Sequence, residues 1–202
     1  MGSIFYIIGR SASGKDKIFR ALRDDPELDL TRIVRYTTRP VREREKEGVQ
    51  YHFLSDEELD RFEAEGKVIE EERYETVHGL WRYATIDDGA VDLAARNYLM
   101  IGTIHSFTGM RDYYGADKVH PVFIDVREDN LLERALKRER KQAEPKYKEL
   151  CRRFLADSED FSEENIRAAG IEERFDNNGE LADCIAAIRR FILERKTGSD
   201  GK

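Results

Sequence analysis

Cysteine is scarce in this chain, a basic excess is missing, and no stretch is both long and apolar. The 202 residues include two cysteines, Cys151 and Cys184. Neither belongs to a CxxC pair or lies near a histidine, so two reduced thiols are expected rather than a disulfide framework. The four histidines, His52, His78, His105 and His120, show no metal-ligand spacing. The formal net charge is -7, which argues against the clustered Lys and Arg that sequence-independent nucleic-acid binding requires. No run of about 18 apolar residues, the length that spans a bilayer, occurs anywhere. The N-terminus enters a strand directly and lacks the basic start and apolar stretch of a signal peptide. Repeats and low-complexity tracts are absent too. These absences predict a soluble, cytoplasmic protein that binds neither nucleic acid nor membrane. They leave protein partners open.

What is present is a chain with 40% hydrophobic residues, enough to build the core of one domain, with or without a small insert. Strand and helix signals alternate. Apolar runs at 4–8, 33–34, 98–102 and 121–126 read as buried strands. Helical spacing covers 15–22, 106–114 and 180–195, and a short helix is expected over 89–96. Such alternation predicts an α/β fold with a parallel sheet flanked by helices on both faces. The core would comprise 1–32, 87–127 and 172–196. The alternation breaks over about 33–86. There "YHFL", "KVIEEERY" and "LWRYATI" read as strands of a smaller sheet, and Ser55 with Glu58 forms a capping box for a helix that stops at Gly66. This reads as an inserted lobe. A charged helical region over 128–160, interrupted at Pro145, reads as a second mobile piece. "RFDNNG" reads as a short strand, and "TGSDGK" as a frayed tail.

Chemistry begins with "GRSASGK", Gly9 to Lys15, which satisfies the pattern G-x-x-x-x-G-K. It follows the first strand and opens a helix, the arrangement a phosphate-binding loop needs. Small residues (Gly9, Ser11, Ala12, Ser13, Gly14) let backbone N–H groups turn inward around phosphate oxygens. The helix N-terminus adds partial positive charge, and Lys15 reaches the outer phosphates as a point charge. The pattern asks for Ser or Thr after the lysine, and this chain has Asp16. A carboxylate there can ligate Mg²⁺ or simply favour the helix dipole. A second signal is "VRYTTRPVREREKEGVQYHFLS". Arg39 and Arg42 stand three apart in a loop, with Tyr51 nine further on. Two guanidiniums and a phenol together can clamp a phosphate monoester.

With both signals in place, the sequence resembles the guanylate kinase family. That family carries T-T-R-x-P-R followed by G-E-x-x-G-x-x-Y-x-F. This chain has Thr37, Thr38, Arg39 and Arg42, then Glu45, Gly48, Tyr51 and Phe53 in register, with the proline moved to Pro40. The resemblance covers nearly the whole chain and is weakest over about 75–120. It implies a P-loop kinase core, an acceptor-binding lobe at about 33–86, a helical lid at about 128–160, and transfer of the γ-phosphoryl of Mg·ATP to GMP. It also implies roles. Arg39, Arg42 and Tyr51 hold the acceptor phosphate. Glu70 reads the guanine edge. Arg134, Arg138 and Arg153 are the lid arginines, and Asn177 lies near the adenine.

The departures fall in the acceptor pocket. Arg35 stands where the family usually has serine. Gly102 and Thr103 stand where it has aspartates. "WRYAT", with Tyr83, replaces a Y-Y-G segment. Arg35-Tyr36, Gly14-Lys15-Asp16 and Asn177-Asn178-Gly179 are also similar to the ribose 1,5-bisphosphate phosphokinases, for which an extra arginine at 35 would meet a second phosphate. Some guanylate kinase-like domains are non-catalytic binding modules, and Asp16 speaks for that reading. An ATPase switch would need a strand-end aspartate, for which Asp125 is the nearest candidate.

Overall fold

The computed structural model describes residues 2–76 and 79–198. His78 and the tail from 199 onward lie outside the described residues.

The first strand, β1 (Ile4–Ile8), is buried along its whole length. A strand covered on both faces carries no polar alternation, which is why "IFYII" reads as one apolar run. Helix α1 (Lys15–Arg23) follows the glycine-rich turn. Strand β2 is Leu30–Arg32, not the apolar pair Ile33–Val34. The ladder to the later strand β7 (Asn97–Gly102) is made by Leu30, Thr31 and Arg32, and Ile33 adds only an N–H to the Leu99 carbonyl at 3.0 Å. Strand β8 is Val119–Asp125 and β9 is Arg174–Asp176. The five strands pair in the order β2-β7-β1-β8-β9, with every pairing parallel.

Side chains alternate across β1, and two cores result. Phe5 and Ile7 pack with Ile18, Phe19 and Leu22 of α1 and with Ile188, Phe191 and Ile192 of the closing helix α7 (Leu181–Gly198). Ile4, Tyr6 and Ile8 pack with Phe107 and Met110 of α3 (Ile104–Tyr114) and with Ile166 of α6 (Glu163–Ala168). Helix α6 was not visible in the sequence pattern. Helix α7 runs past 195 to take in Thr197 and Gly198, the first two residues of the expected tail.

A second, four-stranded sheet sits beside the first, in the order β4-β3-β6-β5. It contains β3 (Tyr36–Thr37), β4 (His52–Phe53), β5 (Val68–Thr76) and β6 (Gly79–Ile86). Helix α2 (Asp56–Ala64) covers it, with the Ser55–Glu58 capping box formed in both directions. Leu59, Ala84 and Ile86 make its small core. Arg82 of β6 ties α2 down, with Asp60, Glu63 and Glu71 as partners.

The expected helix over 89–96 is a turn-rich connection. Asp88 and Asp92 accept from the N–H groups of Ala90 and Ala94, both at 2.9 Å. Such local side-chain bonds compete with helix formation. After β8 come α4 (Glu128–Glu139) and α5 (Tyr147–Asp160), separated around Pro145. Buried Glu139 holds that corner: it accepts from the Gln142 side chain at 2.9 Å and from the Lys146 N–H. Among the described residues, no helix is long and apolar enough to cross a membrane.

Candidate active site

The turn from β1 to α1 adopts left-handed backbone at Ala12 (φ 67°) and Gly14 (φ 91°). Only glycine adopts the second without strain, and a Cβ there would also stand 2.8 Å from the Asn177 amide nitrogen. That nitrogen donates to the Ser13 carbonyl at 2.7 Å. Asn177 is buried and braces the loop from behind. It does not line the large cleft that runs from the loop to the second sheet. Helix α1 starts with no side-chain cap, so its N-terminal donors and positive dipole end stay available to an anion. The Ser13 hydroxyl is buried without a partner. One loop amide already holds an anionic group, since Ser11 N–H donates to the Asp157 carboxylate of α5.

Lys15 lies at the mouth of this loop, its ammonium 3.4 Å from the Arg10 carbonyl. Burial pushes its pKa below the ordinary lysine value; Asp16 and Asp157 oppose that shift, and Arg153 and Arg138 add to it. Arg153 and Arg138 of the helical region are therefore near enough to act on the Lys15 charge. Arg138 and Arg153 line a cavity of ≈ 130 Å³ between the loop and helices α4 and α5, with Arg10, Ser11 and Asp157. Arg134 does not reach it. Its guanidinium donates to the Asn177 carbonyl at 2.8 Å, so it anchors α4 to the 177 loop. The sequence places Arg134 and Arg138 on one helix face, but a backbone acceptor near one end captures Arg134. Asp125 is partly buried beside Arg174 at 3.8 Å and does not line this cavity.

A cleft of ≈ 1250 Å³ runs from the loop to the second sheet. Gly9, Ser11, Lys15 and Asp16 line one end. Arg35, Arg42, Tyr51, Tyr83 and Thr103 line the other, and Arg153 and Asp157 border it from α5. Burial raises the pKa of Tyr51, keeping it a phenol donor.

Of the acceptor-side residues assigned from the sequence, two stand outside this cleft. Arg39 is 3% exposed. Its fork is filled by Glu45, with contacts of 2.7 and 2.6 Å, and it lies over the Tyr51 ring. The Glu45 hydrogen bond, ahead of an opposing burial effect, raises the Arg39 pKa. Glu70 is buried and saturated as well. Thr85 donates to it at 2.5 Å and Arg35 at 2.8 Å. Burial lifts its pKa more than Arg35 and Thr85 depress it.

On β5 the carboxylate that lines the cleft is Glu72. Thr103 donates to it at 2.7 Å, Tyr74 at 3.1 Å, and Arg35 pairs with it at 3.0 Å. Glu70 and Glu72 share one face of β5, and Glu71 between them points to Arg82 and Arg73 on the other. The period of two in a strand was the available signal for Glu72. Burial works against the Arg35 charge, yet Glu70, with Tyr6 and Glu72, overrides it and raises its pKa.

The network runs on into the core. The Tyr6 hydroxyl donates to Ser106 at 2.7 Å, and Ser106 shares the α3 capping box with Thr103. A side chain at Gly102 would overlap the Tyr6 hydroxyl and Ser106, so this position does not accommodate an acid. Asp157, one helical turn after Arg153, was findable by spacing. Arg32, which also lines the cleft, carried no sequence signal.

Residues 2–165 match the family model described as guanylate kinase. The chain belongs to the guanylate kinase family. A guanylate kinase of Brucella melitensis biotype 1 is 32% identical over 118 residues, covering 58% of this chain and 49% of that one. The chain thus spans about half the length of that relative. A guanylate kinase of Methylobacillus flagellatus is 28% identical over 201 residues, covering 96% of this chain and 92% of that one. The crystal structure of guanylate kinase from Anaplasma phagocytophilum superposes with a TM-score of 0.61 at 20% identity, covering 96% of this chain and 85% of that chain. That likeness shows the α/β fold shared with the family.

Proposed function

We propose that this family member is an ATP-dependent phosphotransferase that moves the γ-phosphoryl of Mg·ATP to GMP, giving GDP and ADP. One observation carries the reading: Lys15 of the P-loop and Arg42 and Tyr51 of the arginine loop open onto the same cleft. Phosphoryl transfer needs little covalent chemistry from a protein. It needs in-line positioning and cations around the migrating group.

The loop fits a nucleotide phosphate chain. Its helix end is uncapped and the Ser13 hydroxyl is unpartnered, and Gly9 is tight enough that a Cβ would sit 2.8 Å from that hydroxyl. Lys15 holds the outer donor phosphates. Asp16 is exposed at the cleft end of α1 and would hold Mg²⁺, which neutralises phosphate charge when bound. Among the described residues, no group of three or more His, Cys, Asp or Glu side chains could hold a metal without the nucleotide. Arg42 and Tyr51 hold the acceptor phosphate. Arg138 and Arg153 close over the transferring group, and closing α4 and α5 as a lid over the second-sheet lobe excludes water.

The far end of the cleft favours GMP over a sugar bisphosphate. Arg35 meets two carboxylates, so it is not free for a second phosphate. Glu72 instead offers an acceptor to a head group rich in N–H donors, such as a guanine edge. The intact loop, with its partly buried lysine, favours catalysis over a non-catalytic module.

The test is ADP release from Mg·ATP with GMP, dGMP, AMP, CMP, UMP and ribose 1,5-bisphosphate. Selective turnover with GMP is expected. Turnover with ribose 1,5-bisphosphate and none with GMP would replace the acceptor. No turnover with any of them, together with no ATP binding, would make the chain a binding module.

A further inference from the structure

Most arginines around the cleft have a carboxylate partner. Arg35 has Glu70 and Glu72, Arg39 has Glu45, and Arg152 has Glu149. Arg42 is exposed, so water compensates it. Arg32 differs from all of these. It ends β2, is partly buried, and lines the cleft beside Gln50 and Tyr51. Its guanidinium lies 5.5 Å from the Phe19 ring centroid and donates one N–H to the Gln50 carbonyl at 3.0 Å. Its Nε is buried with no partner, as are those of Arg35 and Arg39, but among the described residues no carboxylate pairs with the Arg32 fork as Glu70, Glu72 and Glu45 do with theirs. Burial, then the nearby Arg23, lower its pKa, and the Tyr51 phenol opposes them. A desolvated guanidinium without an anion is unfavourable. Its rigid fork, with one edge unused, matches the oxygens of a phosphate. The motif arginine Arg39, by contrast, already spends its fork on Glu45.

We infer that Arg32 is an acceptor-binding residue that joins Arg42 and Tyr51 in holding the acceptor's phosphate monoester. This inference rests on the reading of the cleft as the site of phosphoryl transfer. Arg32 approaches from the core sheet and Arg42 from the arginine loop, so the phosphate bridges the two parts of the molecule. Binding the acceptor would then relieve the unpaired charge on Arg32 and fix the lobe against α1.

The experiment measures calorimetric affinity for GMP and for guanosine in the wild type, Arg32→Gln and Arg32→Lys. The expected result is at least a tenfold loss for GMP in Arg32→Gln, partial recovery in Arg32→Lys, and guanosine binding unchanged. Equal losses for GMP and guanosine would mean that Arg32 only props the loop through Gln50 and Phe19, and would overturn the inference. If the wild type binds no GMP, the acceptor reading fails separately. Inorganic phosphate titrated into Lys15→Ala and into Lys15→Ala/Arg32→Gln then decides the point. Weaker phosphate binding in the second protein sustains an anion site at Arg32, and equal or undetectable binding in both overturns it.

Discussion

Glu70 and Glu72 are two residues apart on one strand and have opposite environments. Glu70 is enclosed by Thr85 and Arg35, and Glu72 faces the cleft. The account therefore separates their phenotypes. Glu72→Gln should weaken GMP selectivity by about 1.5–3 kcal/mol, roughly ten- to 150-fold in kcat/KM for GMP. Glu70→Gln removes half of the charge around buried Arg35 and should cost roughly 1–3 kcal/mol of stability, seen as a lower Tm. Kinetics and thermal melts on the two variants check this, and a loss of GMP selectivity confined to Glu70→Gln would reverse the assignment. The loop residues Gly9 to Asp16 were legible in the sequence because the chemistry of that turn is local: glycines, a lysine and a helix start within a few residues. The acceptor side was less legible. Whether Arg39 or Arg32 is free for a ligand depends on which carboxylate folds beside it, and spacing alone does not encode that.

At the scale of elements, α3 and β5 form the joint between core and lobe. Gly109 lets them approach: a Cβ there would stand 2.5 Å from the Cβ of Glu70 and 3.2 Å from its Cγ. Neither neighbour can swing aside, because Glu70 is held by Thr85 and Arg35. Gly109→Ala should therefore force α3 and β5 apart despite its gain in helix propensity, costing about 1–3 kcal/mol as overpacking does. Thermal unfolding would show it, and an unchanged or higher Tm would mean that the joint is slack. The buried strands and the capped α2 were legible because each carries its own pattern. Three elements were not. The two-residue strand β3 lies beside a charged loop and borrows its hydrogen bonds from β6. Helix α6 is six residues long, too short for a periodic stripe. The 89–96 segment has helix-compatible composition, but its aspartates cap turns instead.

For the whole molecule, the sequence pattern conveyed the layered α/β plan, since strands buried on both faces need helices on both sides. It did not convey which arginines the fold would bring to one cleft. The central claim is that donor and acceptor share that cleft, with Lys15 at one end and Arg42 and Tyr51 at the other. The most direct measurement is calorimetric binding of a bisubstrate analogue, adenosine and guanosine joined through a chain of phosphates. The account predicts one molecule per chain, bound far more tightly than ATP or GMP alone, displaced by either, and weakened by both Lys15→Ala and Arg42→Ala. An analogue that binds no better than ATP, displaced by ATP only and indifferent to Arg42→Ala, would contradict it.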